Sequence, residues 1–168
     1  ALGARELAKR NAIIRRLSSA ETLGATTVIC SDKTGTLTKG EMTVRKIYVN
    51  GEIIEVTGVG YEAEGEFLLG DRRVNVKEDR NLSLLLTGAS LCTNASYDGK
   101  NIIGDTTEGA LIIAAVKAGF MKEELEKENL RIHEIPFTSE RKRMTTVHKD
   151  AEGKLIAFMK GAPEVVLS

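Results

Sequence analysis

The longest unbroken apolar run in this chain, Ala110 to Val116, is only seven residues long. A helix needs about 20 apolar residues to span a bilayer, so the run excludes a transmembrane helix. What remains is a fold of short amphipathic elements around a shared core. A length of 168 residues is enough for one ordinary domain, or for one domain and part of a second. With 42% hydrophobic and 29% charged residues, collagen-like, disulfide-framework and wholly disordered chains are excluded. The 24 basic and 24 acidic side chains cancel, so no overall attraction to nucleic acid is expected. Cys30 and Cys92 form neither a CxxC pair nor a framework, which fits two buried thiols in a reducing compartment. The chain starts without methionine and without a basic-then-apolar signal, as a piece of something longer would.

The charge balance conceals an asymmetry. Residues 1–24 carry Arg5, Lys9, Arg10, Arg15 and Arg16 against Glu6 and Glu21, a net charge of +3, so the other 144 residues sum to −3. Leu2, Leu7, Ile13, Ile14 and Leu17 fall near helical spacing, predicting a helix at least through Leu17. A solvated surface helix and a segment leaving a membrane on its cytosolic face both fit this pattern. The β-branched run 25–31 after Gly24 predicts a buried strand. A second strand is expected over 42–49, returning through 52–57 after an Asn50-Gly51 hairpin turn. Loops with short strands are expected over 58–76. Leu82, Leu85, Leu86 and Ala89 predict an amphipathic helix over 78–92. Residues 94–104 read as a polar loop, 106–117 as a helix closed by Gly119, and 121–128 as a short charged helix. Three strands are expected to follow at 132–137, 144–149 and 155–160. The pattern is α+β: an antiparallel sheet flanked by helices, preceded by one strand of a different architecture.

Asp32-Lys33-Thr34-Gly35-Thr36-Leu37-Thr38 follows the first expected strand directly. The carboxyl end of a strand is where α/β sheets place their chemistry, and an aspartate there can attack phosphorus. Facing a triphosphate, it would need a divalent cation to screen the repulsion. Gly35 permits a sharp turn that aims N–H groups at phosphate oxygens. A polar turn using Asp and Gly for turn chemistry alone explains the same residues. All seven residues, however, match the phosphorylation signature of P-type cation-transporting ATPases, and the chain resembles that family. The resemblance implies that Asp32 becomes an aspartyl phosphate with Lys33 beside the transferred group. It also implies that Thr34 offers its carbonyl to Mg²⁺ and its hydroxyl to phosphate, so that Asp32 and Thr34 hold the metal. The pumps are related to haloacid-dehalogenase-like phosphatases, whose second aspartate stands where this chain has Thr34. A threonine cannot act as a carboxylate acid or base, so a persistent phosphoenzyme is expected.

Three further segments resemble the family's nucleotide-binding domain. In Gly104-Asp105-Thr106-Thr107-Glu108-Gly109-Ala110-Leu111, the spacing of Asp105 and Glu108 is also that of a helix-capping box. The resemblance gives Glu108 a hydrogen bond to the adenine amino group, with Thr106 where proline is usual. In the segment from Pro136 to Met144, Phe137 and Lys142 offer a stacking face and a phosphate partner. They fit a core phenylalanine and a solvated basic loop equally well. By resemblance Phe137 stacks on adenine and Lys142 lies along the nucleotide. Relatives with arginine at the position of Ser139 contact phosphate through it, leaving Arg141 or Arg143 as substitutes here. In Met159-Lys160-Gly161-Ala162-Pro163-Glu164, an ordinary strand-to-helix turn is one reading. The resemblance lines the adenosine pocket with Lys160 and lets the base approach over Gly161 and Ala162. Segments 9–24 and 57–65 also resemble the pumps, the latter the calcium-type ones, although Gly58-Val59-Gly60 alone reads as turn punctuation.

The resemblance implies a membrane-proximal helix at 1–24, the start of the phosphorylation domain at 25–44 and the nucleotide-binding domain at 45–168. ATP and Mg²⁺ are the expected cofactors. The expected partner is the remainder of the pump, a multi-pass membrane protein with this segment on its cytoplasmic side and its cation bound elsewhere. The family's Thr-Gly-Asp and Gly-Asp-Gly-x-x-Asn-Asp motifs do not occur in the chain, so it is expected to bind ATP without turnover. A soluble phosphatase or phosphotransferase and a freestanding nucleotide-binding module are the alternatives.

Overall fold

The computed structural model describes residues 2–13, 15–38 and 40–168, with the side chains of 2–4, 17, 19, 20, 34 and 35 left out of account. The chain divides into two compact units, Ala1–Lys39 and Gly40–Ser168.

In the first unit the basic leader is two helices rather than one, α1 (Leu2–Lys9) and α2 (Leu17–Gly24). The break falls at Asn11, whose φ of 60° is left-handed. The Ala12 N–H donates to the Leu7 carbonyl at 2.9 Å and the Asn11 N–H to the Ala8 carbonyl at 3.1 Å. Those are the two hydrogen bonds of a Schellman ending, with asparagine in the place that glycine usually takes. Residues 25–31, expected as a buried strand, form no strand here. Val28 is 73% and Ile29 81% exposed, and Cys30, expected to be buried, is exposed too. A strand exists only through hydrogen bonds to a neighbour, and none of the described residues supplies one. Lys33–Leu37 makes a single turn of π-helix, closed by the Thr38 N–H on the Lys33 carbonyl at 3.1 Å.

The second unit holds the core. Strands β1 (Lys46–Val49) and β2 (Glu52–Val56) pair with Val49 opposite Glu52. Asn50 and Gly51 between them both take positive φ, 56° and 81°, which is the type I′ turn that matches strand twist. The hairpin β3 (Phe67–Leu69) and β4 (Arg72–Arg73) extends the sheet in the order β1-β2-β3-β4. Helix α3 (Arg80–Leu91) starts where the Asp79 carboxylate accepts from the Asn81 and Leu82 amides, after a 3₁₀ turn at Val76–Glu78. Ile47, Ile54, Val56 and Phe67 from the sheet meet Leu82 and Leu86 from α3 to form one apolar cluster. Each such side chain stabilises the fold by roughly 1.5–3 kcal/mol. Leu85, expected on the same face, is 43% exposed, because the buried face turns towards Ser90 and Leu91 instead.

The stretch expected as a polar loop contains a small hairpin, β5 (Ser96–Tyr97) with β6 (Ile102–Ile103). Helix α4 (Thr106–Lys117) has the expected bounds, with Asp105 as its N-cap and Gly119 at φ 80° just past its end. After α5 (Lys122–Glu128), a meander β7 (Asn129–Ile135), β8 (Arg143–Asp150) and β9 (Leu155–Gly161) forms a third sheet, leading to α6 (Pro163–Val166). The fold is therefore α+β, but its described strands lie in three antiparallel sheets rather than one. Gly58 and Gly65 serve close packing as well as turning. A Cβ on Gly58 would stand 2.7 Å from Lys117 Nζ, and one on Gly65 would stand 2.8 Å from Lys117 Cδ. Lys117 in turn donates to the Thr57 carbonyl at 2.8 Å, so these glycines make room for its stem. Among the described residues, no helix is long and apolar enough to cross a membrane.

Candidate functional site

The first turn of α4 presents Glu108 to two other elements. Asp105 Oδ1 accepts from the amides of Thr107 at 2.9 Å and Glu108 at 3.0 Å, so it alone caps the helix. The capping box is one-sided, because the Glu108 carboxylate does not reach back to Asp105. Its Oε2 accepts instead from the backbone N–H groups of Asn94 at 2.7 Å and Ala95 at 2.9 Å. Its Oε1 accepts from Lys160 Nζ on β9 at 2.5 Å, across 52 residues of sequence. Burial works to raise the Glu108 pKa, but the Lys160 hydrogen bond, the two amides and the Lys160 charge together outweigh it. The net direction is down, and the carboxylate is ionised at neutral pH.

The other expected nucleotide contacts lie in the turn from β7 to β8 (Phe137 and Lys142) and at the end of β9 (Gly161). Lys142 adopts a left-handed φ of 50°, a conformation that costs a non-glycine residue energy. Its Nζ stands 3.8 Å from Glu164, and its carbonyl accepts from the Ala162 N–H at 2.9 Å. Gly161 is small for the sake of its own chain, since a Cβ there would lie 2.5 Å from the Lys142 carbonyl oxygen. Phe137 is 58% exposed, so it is a presented ring rather than a core side chain. Arg141 donates to the Pro136 carbonyl at 3.0 Å and Arg143 to the Val165 carbonyl at 3.5 Å, so both guanidiniums already serve the backbone. The structure thus joins Glu108 to Lys160 directly and keeps Lys142 and Gly161 together at the strand ends. Beside Lys160 a groove of about 650 Å³ opens, lined by Leu85, Leu111, Ile156 and Phe158 among others.

In the first unit, Asp32 and Lys33 are exposed, Asp32 immediately before the π-turn and Lys33 within it. Thr34 lies inside that turn, and its side chain is outside the described residues. No cluster of three or more His, Cys, Asp or Glu side chains that could hold a metal occurs among the described residues.

Residues 77–168, more than half of the chain, match the family model described as P-type ATPase, cytoplasmic domain N. The chain belongs to the P-type ATPase family. It is 41% identical over 170 residues to a calcium-transporting ATPase of Bacillus subtilis (strain 168), aligning 99% of this chain with 19% of that protein. Against the cation-transporting ATPase pma1 of Synechocystis it is 43% identical over 177 residues, covering 99% of this chain and 19% of the relative. The human calcium-transporting ATPase type 2C member 1 is 42% identical over 171 residues, with 99% and 18% covered. The chain thus spans about one fifth of the length of these P-type ATPases.

Sequence reasoning passed over several residues that shape this site. Arg131 donates to the Leu91 and Thr93 carbonyls, both at 2.6 Å, and Lys122 Nζ donates to the Ala95 carbonyl at 2.7 Å. Lys122 is buried, which pushes its pKa down from the usual lysine value. Neither residue left a signal in the sequence: the alternation of Leu130 and Ile132 in β7 would turn Arg131 outward, yet those two are exposed and Arg131 is half-buried, while Lys122 belongs to the charged helix α5.

Proposed function

We propose that this chain is the ATP-binding part of a calcium-type P-type cation pump, on the cytoplasmic side of its membrane. In this reading, residues 1–24 form the membrane-proximal segment, 25–44 begin the phosphorylation domain, and 45–168 make up the nucleotide-binding domain. The observation that carries the reading is the Glu108–Lys160 pair, an ionised carboxylate and a cation held 2.5 Å apart beside an apolar groove. A carboxylate oxygen can accept from more than one donor, so Glu108 can take the exocyclic amine of adenine while Lys160 neutralises it. The exposed Phe137 ring offers a stacking surface of the kind worth about 1–3 kcal/mol per base. Lys142 and Lys160 supply cations for the phosphates, and Gly161 lets the end of β9 pass close to the Lys142 carbonyl.

The run 25–31 is in this reading a strand that gains its neighbours within the longer protein, which places Asp32 at its carboxyl end. There the Asp32 carboxylate attacks the γ-phosphorus, forming an acyl phosphate as the bond to ADP breaks and ADP departs. Lys33 balances charge beside it. Thr34 supplies no carboxylate to activate water, so the acyl phosphate persists long enough to drive a conformational cycle. Mg²⁺ suits these donors, since it is usually held by one or two carboxylates together with substrate phosphates. Asp32 and the Thr34 carbonyl are hard oxygens of that kind, and the ion's contribution is to screen the phosphate charge.

Titrating ATP into the isotopically labelled chain tests the nucleotide site. Resonances of Glu108, Phe137, Lys142 and Lys160 are expected to shift together, without release of phosphate. Four unmoved resonances at saturating ATP would refute the assignment.

A further inference from the structure

The segment between α3 and β5 is gripped by cations on one side and by a carboxylate on the other. Arg131 Nη2 reaches the Leu91 and Thr93 carbonyls at 2.6 Å each, while Nη1 reaches Asn94 Oδ1 at 2.7 Å and Glu134 Oε2 at 3.2 Å. Asn94 Nδ2 completes the ring by donating to Glu134 Oε1 at 2.9 Å. Lys122 Nζ adds a second cation to the Thr93 carbonyl at 3.2 Å. The Thr93 carbonyl and the Asn94 N–H belong to one peptide group, and in a trans peptide they point in opposite directions. That N–H donates to Glu108 at 2.7 Å. One peptide therefore carries cations at its oxygen and an anion at its hydrogen, and a polarised peptide is a stronger donor. Thr93 and Ala95 are each 0% exposed, so solvent has no ready access to take the place of these partners.

We propose that Arg131 is a positioning residue for the nucleotide site, acting through the Thr93–Asn94 peptide to fix the Glu108 carboxylate and turn its free edge towards Lys160. The inference rests on Glu108 being a nucleotide contact. A guanidinium suits the task because its planar fork satisfies two carbonyls, an amide oxygen and a carboxylate at once, which an ammonium cannot do. Glu134 and Asn94 hold the fork in place, so the orientation of the peptide is set by strand β7 rather than by the loop itself.

The test has one arm that needs no nucleotide. In the wild-type chain, the Asn94 and Ala95 amide protons should resonate downfield and titrate in step with the Glu108 carboxylate. In Arg131→Gln and Arg131→Lys both should move upfield, since neither variant can span the carbonyls. Amides that ignore the Glu108 titration, or that stay put in both variants, overturn the proposal. If Arg131→Gln does not fold, Arg131→Lys and the wild-type titration still decide. The second arm is a double-mutant cycle read by ATP titration. Arg131→Gln should weaken ATP about tenfold in the wild-type background and less than about twofold when Glu108 is already Gln. Equal losses in both backgrounds would mark a purely structural role and overturn the proposal. Failure of the wild-type chain to bind ATP sinks the nucleotide reading, while the amide arm still decides what Arg131 does to Glu108.

Discussion

Glu108 keeps its charge because its donors outweigh its burial, and the balance can be tipped one donor at a time. Its folded pKa lies below the ordinary 4.5. A lowered carboxylate pKa stabilises the fold fully above the unfolded value, and that contribution disappears as pH falls through the folded value. Lys160 supplies the largest of the opposing causes, through a hydrogen bond and through its charge. Lys160→Met leaves Glu108 with its two amides only, so its pKa moves back up and the pH-dependent contribution shrinks. At neutral pH the loss should be about 1 kcal/mol, allowing for solvent screening of a pair that is partly exposed. Urea midpoints measured at about pH 7 and about pH 4 should therefore lie closer together in Lys160→Met than in wild type. An unchanged gap would show that Lys160 does not hold the charge on Glu108. By contrast, His148 is a fully buried side chain that asks for no functional role. Its Nδ1 lies 3.2 Å from the Asn129 carbonyl, which only accepts, so Nδ1 carries the proton and Nε2 accepts from the Thr146 hydroxyl at 2.9 Å.

The two capped helices separate stability from binding. Asp79 begins α3 and Asp105 begins α4, each accepting from two backbone amides at 2.9–3.0 Å. Asp79→Ala and Asp105→Ala should each cost about 1 kcal/mol of stability in a denaturant titration. Only Asp105→Ala should also weaken ATP, because the first turn of α4 carries Glu108, whereas the first turn of α3 carries no proposed nucleotide contact. Equal affinities in the two variants would disconnect that turn from the site. The helix α4 was legible at both ends from the sequence, since a capping aspartate and a following glycine are local signals. The Asn50-Gly51 hairpin was legible for the same reason. The break at Asn11 was not, because asparagine is tolerated in a helix and takes the left-handed turn only when a Schellman ending competes. Leu85 obeyed the helical spacing and still faces outward, because the neighbouring sheet and helix decide which stripe is covered. The hairpin at 96–103 is two residues per strand, too short to leave a period. Within the site, Glu108 and Lys160 could be named from segments that resemble a family. Their contact across 52 residues, and the grip of Arg131 on a loop about 40 residues earlier, are tertiary facts with no local signature.

The buried apolar side chains among the described residues run from Ile47 to Met144, all inside the unit Gly40–Ser168. The basic leader and the heptapeptide of the proposed phosphoryl acceptor Asp32 lie in the other unit, where Leu7 is half-buried and Ile13, Leu23, Val28, Ile29 and Leu37 are exposed. The buried core and the proposed nucleotide contacts thus reside in one unit, and the proposed phosphoryl chemistry in the other. This division has a consequence for a shortened chain beginning at Gly40. It loses none of the buried core, neither capping aspartate, and none of Glu108, Phe137, Lys142, Lys160 or Gly161. Its unfolding free energy from a urea titration should match that of the full chain within about 0.5 kcal/mol, the range expected for changes away from packed or capped features. Its ATP affinity should agree within about twofold, a difference of roughly 0.4 kcal/mol. Limited proteolysis of the full chain gives an independent reading, because cleavage favours exposed backbone that opens locally. First cuts are expected within 25–45, with the fragment from about residue 40 onward surviving longest. A large fall in stability or ATP affinity on removing residues 1–39, or first cuts inside α3, α4 or the β7–β9 meander, would mean that the leader contributes to the nucleotide-binding unit.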